Sequence, residues 1–270
     1  MYYSMLIIFY FMSNGIKIEQ ERLPSLKSYF VARMFTYKLY YMNLKHFFIA
    51  LSLSASLISC DKDETPQATA SINVIHASPD APGVDLLVDN IKVNTAALNF
   101  PDATGYLKVF AGTRSIKVNA TGTNNSVINA NLTFTADKYY SVYAYNQLAS
   151  IGAFVVEDNL TLPAVGQAHI RFFHLSPNAP IVTVGTLSGV TFTPVFSNRG
   201  FETQATASAN QNFTPVPAGT YTFDVQANGT SVLTLPGIVL QAGKIYSVFA
   251  KGLVGGQGAQ ALGAQIVTHN

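Results

Sequence analysis

From Ser71 onward the chain is a succession of short apolar or alternating segments: "SINVIH", "VDLLVD", "GYLKVF", "RSIKVNA", "VINANLTFT", "YYSVYAY" and "IGAFVVED". Gly, Pro, Asn and Asp separate them. Segments rich in β-branched and aromatic residues at such turn-punctuated spacing predict the antiparallel strands of a sandwich. Helical periodicity is nearly absent after Cys60. In "GKIYSVFA", Tyr246, Val248 and Ala250 share one face of a strand while Ile245, Ser247 and Phe249 share the other. Apolar bulk on both faces predicts an inter-sheet core on one side and a domain contact on the other.

The pattern also repeats. "VIHASPDAP" (Val74 to Pro82) is echoed by "FFHLSPNAP" (Phe172 to Pro180) at an offset of 98. "AGTRSIKVNATGTN" (Ala111 to Asn124) returns as "AGTYTFDVQANGTS" (Ala218 to Ser231) at 107, and "ADKYYSVYA" (Ala136 to Ala144) as "AGKIYSVFA" (Ala242 to Ala250) at 106. Three blocks in one order predict two copies of one domain, residues 71–162 and 163–270, joined near "LTLPAVGQ". "LQAGKIYSV" (Leu240 to Val248) resembles the tyrosine corner of fibronectin-type and immunoglobulin-like sandwiches; in the first copy Asp137 stands where the turn glycine would be, before Tyr140. The predicted class is therefore all-β: two tandem antiparallel immunoglobulin-like Greek-key sandwiches.

Upstream the polarity changes. Residues 42–59 run from a short polar start with Lys45 and His46 through "FFIALSLSASL" to small residues before Cys60, the order of a cleaved secretory signal. The apolar run falls short of the about 20 residues that span a bilayer. "Leu57 Ile58 Ser59 Cys60" resembles the lipobox of bacterial lipoproteins, which implies that Cys60 becomes the N-terminus and carries acyl chains such as palmitate. Two or more chains give stable anchoring where one gives marginal binding. Residues 60–70 read as an acidic, solvated tether, and the acids behind the cysteine resemble the surface-export signal of lipoproteins from Bacteroidetes-type Gram-negative bacteria. Residues 1–41 read as an extension upstream of a true start at Met42.

Charge sharpens this picture. Residues 1–59 hold six Lys/Arg against two Asp/Glu, so the remainder holds ten against twelve, a balance of −2. A weakly acidic body without a basic stripe excludes a nucleic-acid partner. Hydrophobic residues make up 49% of the chain, enough for a sizeable core, and Cys60 is its one cysteine.

The "HASPDAPGVDLLVD" block (His76 to Asp89), followed by "GYLKVFAGTRSIKV" (Gly105 to Val118), resembles the family called domain of unknown function 4397, found in secreted and lipid-anchored bacterial proteins. The resemblance covers about 71–160 well and about 168–267 with drift: His174 and Ser176 are kept, Asp80 becomes Asn178, and Asp85 becomes Thr183. It implies an immunoglobulin-like sandwich outside the cytoplasm and brings no activity with it.

Candidate chemistry centres on that block. His76, Ser78, Asp80 and Asp85 include the residue types of a hydrolase triad, but Ser78 precedes a proline, which favours an extended or turn backbone rather than a nucleophile's strained turn. The simpler expectation is that Ser and Asp/Asn cap their own backbone and that His76 and His174 satisfy loop carbonyls. Asp80, Asp85 and Asp89 could offer oxygens to calcium, yet their spacing is not a calcium loop. No metal or cofactor is expected. Glycine-rich Gly252 to Gly263 lacks the Lys and Ser/Thr of a phosphate loop. Tyr139, Tyr143 and Tyr145 share one strand face, where they pack a core or domain contact or form a sugar or protein platform.

The expectation is a non-catalytic binding or structural module, anchored in the cell envelope through Cys60, on the outer membrane or the cell surface, with an unknown protein or glycan partner. The alternative is an enzyme or accessory subunit using the His76 to Asp85 loop.

Overall fold

The computed structural model describes residues 67–270. The extension, signal segment, Cys60 and most of the tether lie outside the described residues. In the first half the strands are β1 (Thr69–Ala77), β2 (Val84–Val88), β3 (Ile91–Lys92), β4 (Ala103–Phe110), β5 (Gly112–Ala120), β6 (Ser126–Phe134), β7 (Tyr139–Tyr145) and β8 (Gly152–Glu157). They form two four-stranded sheets, ordered β4-β1-β7-β8 and β3-β2-β5-β6. The second half contributes β9 (Gln167–His174), β10 (Val182–Ser188), β11 (Thr191–Arg199), β12 (Thr214–Pro217), β13 (Gly219–Ala227), β14 (Thr230–Leu240), β15 (Ile245–Lys251) and β16 (Gly263–Thr268). Its sheets are ordered β12-β9-β15-β16 and β11-β10-β13-β14, so the two strand orders correspond one for one.

One expectation needs correcting. The sheets are not wholly antiparallel: β1 pairs parallel with β7 and β9 parallel with β15. Parallel neighbours need a long crossover, and here five strands supply it: four run through the opposite sheet, while β4 or β12 returns to pair antiparallel with β1 or β9. Strands buried on both faces read as near-continuous apolar runs. β1 is buried on both faces, with eight of its nine residues buried, but Ser71, Asn73 and His76 interrupt its apolar run.

That double burial arises because the sheets stack in four layers. One core joins the two first-half sheets through Ile72, Val74, Leu86, Val118 and Val142. A second joins the second-half sheets through Phe172, Val184, Phe196 and Val225. A third lies between β4-β1-β7-β8 and β12-β9-β15-β16, where Ile75, Tyr143 and Phe154 meet Phe173, Phe249 and Val267. Hence Phe249 faces the contact between halves while Tyr246 and Ala250 face the core of their own half, as the alternation in "GKIYSVFA" predicted. Residues 67–270 fall in a single compact unit.

A short helix, α1 (Gln204–Ala209), was not apparent in the sequence pattern. It begins with a capping box in which the Thr203 and Thr206 side chains each bond the other's backbone N–H. The Gln204 amide accepts from Val155 N–H and donates to Val155 C=O, both at 2.9 Å. α1 therefore covers the outer edge of β8, an edge that would otherwise offer unpaired backbone groups.

Both halves close the turn before β7 or β15 in the same way. Gly243 takes φ 78° and Asp137 takes φ 60°, a region aspartate tolerates at some cost. Thr135 N–H donates to the Tyr140 hydroxyl at 3.1 Å, and Gln241 N–H to that of Tyr246 at 3.2 Å. The tyrosine-corner geometry is thus as well formed in the first half as in the second. Tyr140→Phe and Tyr246→Phe should each lower stability by about 1 kcal/mol, read as a shift in the urea midpoint at unchanged m-value.

Candidate functional site

The "HxSP(D/N)AP" block forms the same loop after β1 and after β9. His76 Nε2–H donates to Pro82 C=O and His174 Nε2–H to Pro180 C=O, each at 3.0 Å. These bonds place the proton on Nε2. Burial lowers the pKa of both imidazoles below the usual value, so the neutral form persists. Asp80 accepts from Leu148 N–H at 2.7 Å. In the second loop Asn178 takes over, accepting from Val254 N–H at 2.9 Å and donating to Val254 C=O at 3.1 Å. The Asp-to-Asn drift between copies keeps this bond because only an acceptor oxygen is required.

Asp85 lies elsewhere in function if not in sequence: it pairs with Lys92 at 2.7 Å and accepts from Gly122 N–H at 3.1 Å. Lys92 and that N–H hold its carboxyl below the ordinary range. His76, Asp80 and Asp85 are therefore each bonded to a different partner, and none is hydrogen-bonded to another. The Ser78 and Ser176 hydroxyls are buried without a hydrogen-bond partner. Among the described residues no group of three or more His, Cys, Asp or Glu side chains is placed to hold a metal ion.

The tyrosine face is not an exposed platform. Tyr143 is fully buried against Phe154, Phe173 and Phe249, with ring centroids 4.9, 5.3 and 6.1 Å away. Tyr145 packs on Phe154 and Phe201, and Tyr139 lies edge-on to Tyr106.

Beside Tyr143 lies a buried polar cluster that the sequence reading missed. Arg171 on β9 and Asp158 just after β8 are both inaccessible and paired at 2.5 Å. Arg171 also donates through Nε to Ser247 Oγ at 2.7 Å and through Nη1 to Gln211 C=O at 3.2 Å, while its guanidinium lies 4.4 Å from the Phe213 ring centroid. Asp158 accepts from Tyr106 at 2.6 Å and Ser141 at 2.8 Å. His269 completes the ring: Nδ1–H donates to the Tyr106 oxygen at 2.8 Å, and Nε2 accepts from Ser247 at 2.7 Å. Burial disfavours the Arg171 charge, but Asp158 outweighs it and raises the pKa. The cluster satisfies its own charges and ties the two halves together. It is a structural lock with no opening for a ligand.

Two hollows remain. In the second half, between β10-β13-β14 and β9-β15-β16, lies a cavity of about 480 Å3. Phe172, Val184, Phe196, Val225, Leu235 and Ile266 are among its walls, and His174 contributes the one side chain among its lining residues that carries a nitrogen or oxygen. Ala179, Pro180 and Val254 also border it, so the second loop, clamped by Asn178, forms part of its rim. The glycine-rich segment supplies another part of that rim through Val254, Leu262 and Gly263. Gly252 takes φ 80°, and a Cβ there would collide with the Ala261 carbonyl, so only glycine lets the loop fold back beside Val254. A larger, more polar groove of about 650 Å3 runs along Asn73, Asn94, Asp102, Thr104, Gln265 and Thr268.

Of the residues singled out in the sequence, His174 lines the cavity and Asn178 holds Val254 at its rim without lining it, whereas His76, Asp80 and Asp85 are not among its lining residues. The wall residues could not be found beforehand, because an apolar lining and a filled core use the same strand pattern.

Both loops lie within the region that comparison with known families identifies. Residues 70–185 match the model of the domain of unknown function family DUF4397. The matched segment runs from the second residue of β1 through β9 and into β10. No curated protein matches the chain. Among solved structures, one of family 41 carbohydrate-binding modules from streptococcal virulence factors, described as recognising alpha-glucan, aligns at 14% identity and TM-score 0.22, over 67% of this chain and 93% of that one. A product complex of the multi-modular glycogen-degrading pneumococcal virulence factor SpuA aligns at 13% identity and TM-score 0.21, over 69% of this chain and 21% of that one. Likenesses at these TM-scores carry no argument about function.

Proposed function

We propose that the protein is a non-catalytic binding module of the bacterial cell envelope, built from two tandem immunoglobulin-like Greek-key sandwiches, residues 71–162 and 163–270, and anchored through acylated Cys60. The cavity of the second half carries this reading. Its volume lies within the about 300 to 1,000 Å3 typical of small-molecule sites, and such sites are mostly apolar. Support for the tandem sandwiches comes from the matching strand orders and the paired tyrosine corners. A non-catalytic role is supported by the engagement of His76, Asp80 and Asp85 with separate structural partners. The anchor rests on the lipobox and the signal-like residues 42–59.

The anchor has a direct test. In cells, Cys60→Ser should move the protein from the membrane fraction to the soluble fraction or leave it as an uncleaved precursor, and should abolish incorporation of labelled palmitate. Unchanged palmitate incorporation would overturn it. Protease accessibility on intact and lysed cells then distinguishes the outer surface from the periplasmic side.

A glycan reading rests on the polar groove. Asn73 is 1% exposed, lines that groove, and has a side-chain oxygen without a hydrogen-bond partner. A hydroxyl-rich ligand would supply the missing donor. Calorimetric titration with neutral oligosaccharides tests it, and Asn73→Leu should abolish any binding found there.

A further inference from the structure

The binding-module reading leaves the ligand unnamed, and the cavity walls narrow it. Lining side chains include no Lys, Arg, Asp or Glu, and the one heteroatom-bearing side chain, His174, spends its Nε2–H on Pro180 C=O. The other ring nitrogen of His174 has no partner, but the same is true of His76 in the first loop. It is thus a property of the loop and does not select a ligand. A sugar or an ion entering this space would lose its hydration with no replacement bonds, a cost of several kcal/mol per polar group. An apolar cavity of this kind stays dry and takes up apolar guests.

The opening is apolar as well. Val232 on β14 and Val254 after β15 border the cavity and are 47% and 50% exposed. Two valines half in solvent at the mouth of a carbon-lined space leave no polar collar to hold a head group inside. A molecule that fits must therefore place only hydrocarbon between the sheets and keep its polar end in solvent.

We infer that the second-half cavity binds one hydrocarbon chain of a neutral, single-chain lipid, inserted between β14 and β16 with its head group outside. This inference rests on the binding-module reading and assigns its ligand class. Ala264 on β16 lies in the wall, opposite Ala250 in the strand pairing. A phenylalanine at 264 would occupy the space meant for the chain.

The test uses the full chain carrying Cys60→Ser, which has no acyl group of its own to offer, with the neutral fluorophore 1-N-phenylnaphthylamine as probe and 1-hexadecanol as competitor. The expected result is saturable probe fluorescence, displaced by hexadecanol, and weakened at least tenfold by Ala264→Phe while the near-UV circular dichroism is kept. Should Ala264→Phe not fold, Val232→Asp at the mouth carries the comparison and should weaken the probe by a similar factor. Absence of saturable uptake, or uptake that neither the wall nor the mouth variant weakens, overturns the inference. A linear glucan oligosaccharide titrated in parallel distinguishes the two levels. Saccharide binding without hydrocarbon binding sinks the lipid assignment and leaves the binding module standing, whereas failure of both sinks both.

Discussion

Asp158→Ala should lower the unfolding free energy by about 3 to 5 kcal/mol, because it strands a buried guanidinium without its counter-charge. Arg171 and Asp158 are both inaccessible, and around them Ser141, Ser247, Tyr106 and Gln211 satisfy the remaining donors and acceptors. The loss would be read from urea unfolding at pH 7. A buried pair is weak evidence of net stabilisation, since removing both charges is often neutral or better. The double variant Arg171→Met with Asp158→Leu should therefore recover most of what Asp158→Ala loses. If the single variant loses less than about 1 kcal/mol, in the range of an exposed ion pair, the cluster is hydrated in solution and the lock described above is wrong. Unfolding should stay a single transition in every variant, because the third core and the Arg171 cluster make the halves depend on each other.

Stability should also fall as pH drops from about 6.5 to about 4, by about 3 kcal/mol in all from His269 alone, at 1.36 kcal/mol per pKa unit. Burial pushes the His269 pKa down to about 4; Asp158 pulls it up and Arg171 pushes it further down. Above pH 6.5 the ring is neutral in both folded and unfolded chains, and the full stability is present. Between the two values the unfolded chain takes up a proton that the folded one refuses, so stability is lost as pH falls. The physical reason lies in the bonds: Nε2 accepts from Ser247, whose oxygen already receives Arg171 Nε–H, so a proton on Nε2 would leave the serine hydroxyl without its acceptor. His76 and His174 act in the same direction through burial. Asp85, Asp89 and Asp224, whose pKa values are depressed, contribute only at more acid pH. His269→Gln should flatten the slope between pH 6.5 and 4 in a series of urea midpoints. An equal slope in wild type and variant would show that His269 is not the group responsible.

Much of the strand pattern was legible because β-branched runs broken by Gly, Pro, Asn and Asp leave little else to form. The two-sided burial of β15 could also be read from Tyr246 alternating with Phe249. Parallel pairing could not: alternation reports which face a residue occupies and carries no sign for the direction of the neighbouring strand. α1 escaped because six residues of "QATASA" have no apolar period, and its stability comes from the Thr203 cap and from Gln204 reaching β8. Arg171 was invisible for a related reason. A lone arginine in "HIRFFH" looks like an edge charge until Asp158, 13 residues earlier, folds back beside it. The histidines bond loop carbonyls as expected, but the expected local caps do not form: the Ser78 and Ser176 hydroxyls bond nothing, while Asp80 and Asn178 reach backbone 68 and 76 residues away, and nothing in "SPNAP" says that Asn178 would clamp the rim of a cavity.

The position of β1 has a mechanical side. It lies inside its sheet, hydrogen-bonded to β4 on one flank and β7 on the other. A pull on its N-terminal end along the strand axis loads both ladders at once in shear instead of peeling one bond at a time from an edge. Because the bond rows share the load, extraction of β1 requires the collective failure of both. The N-terminal strand is thus held against tension by two ladders at once.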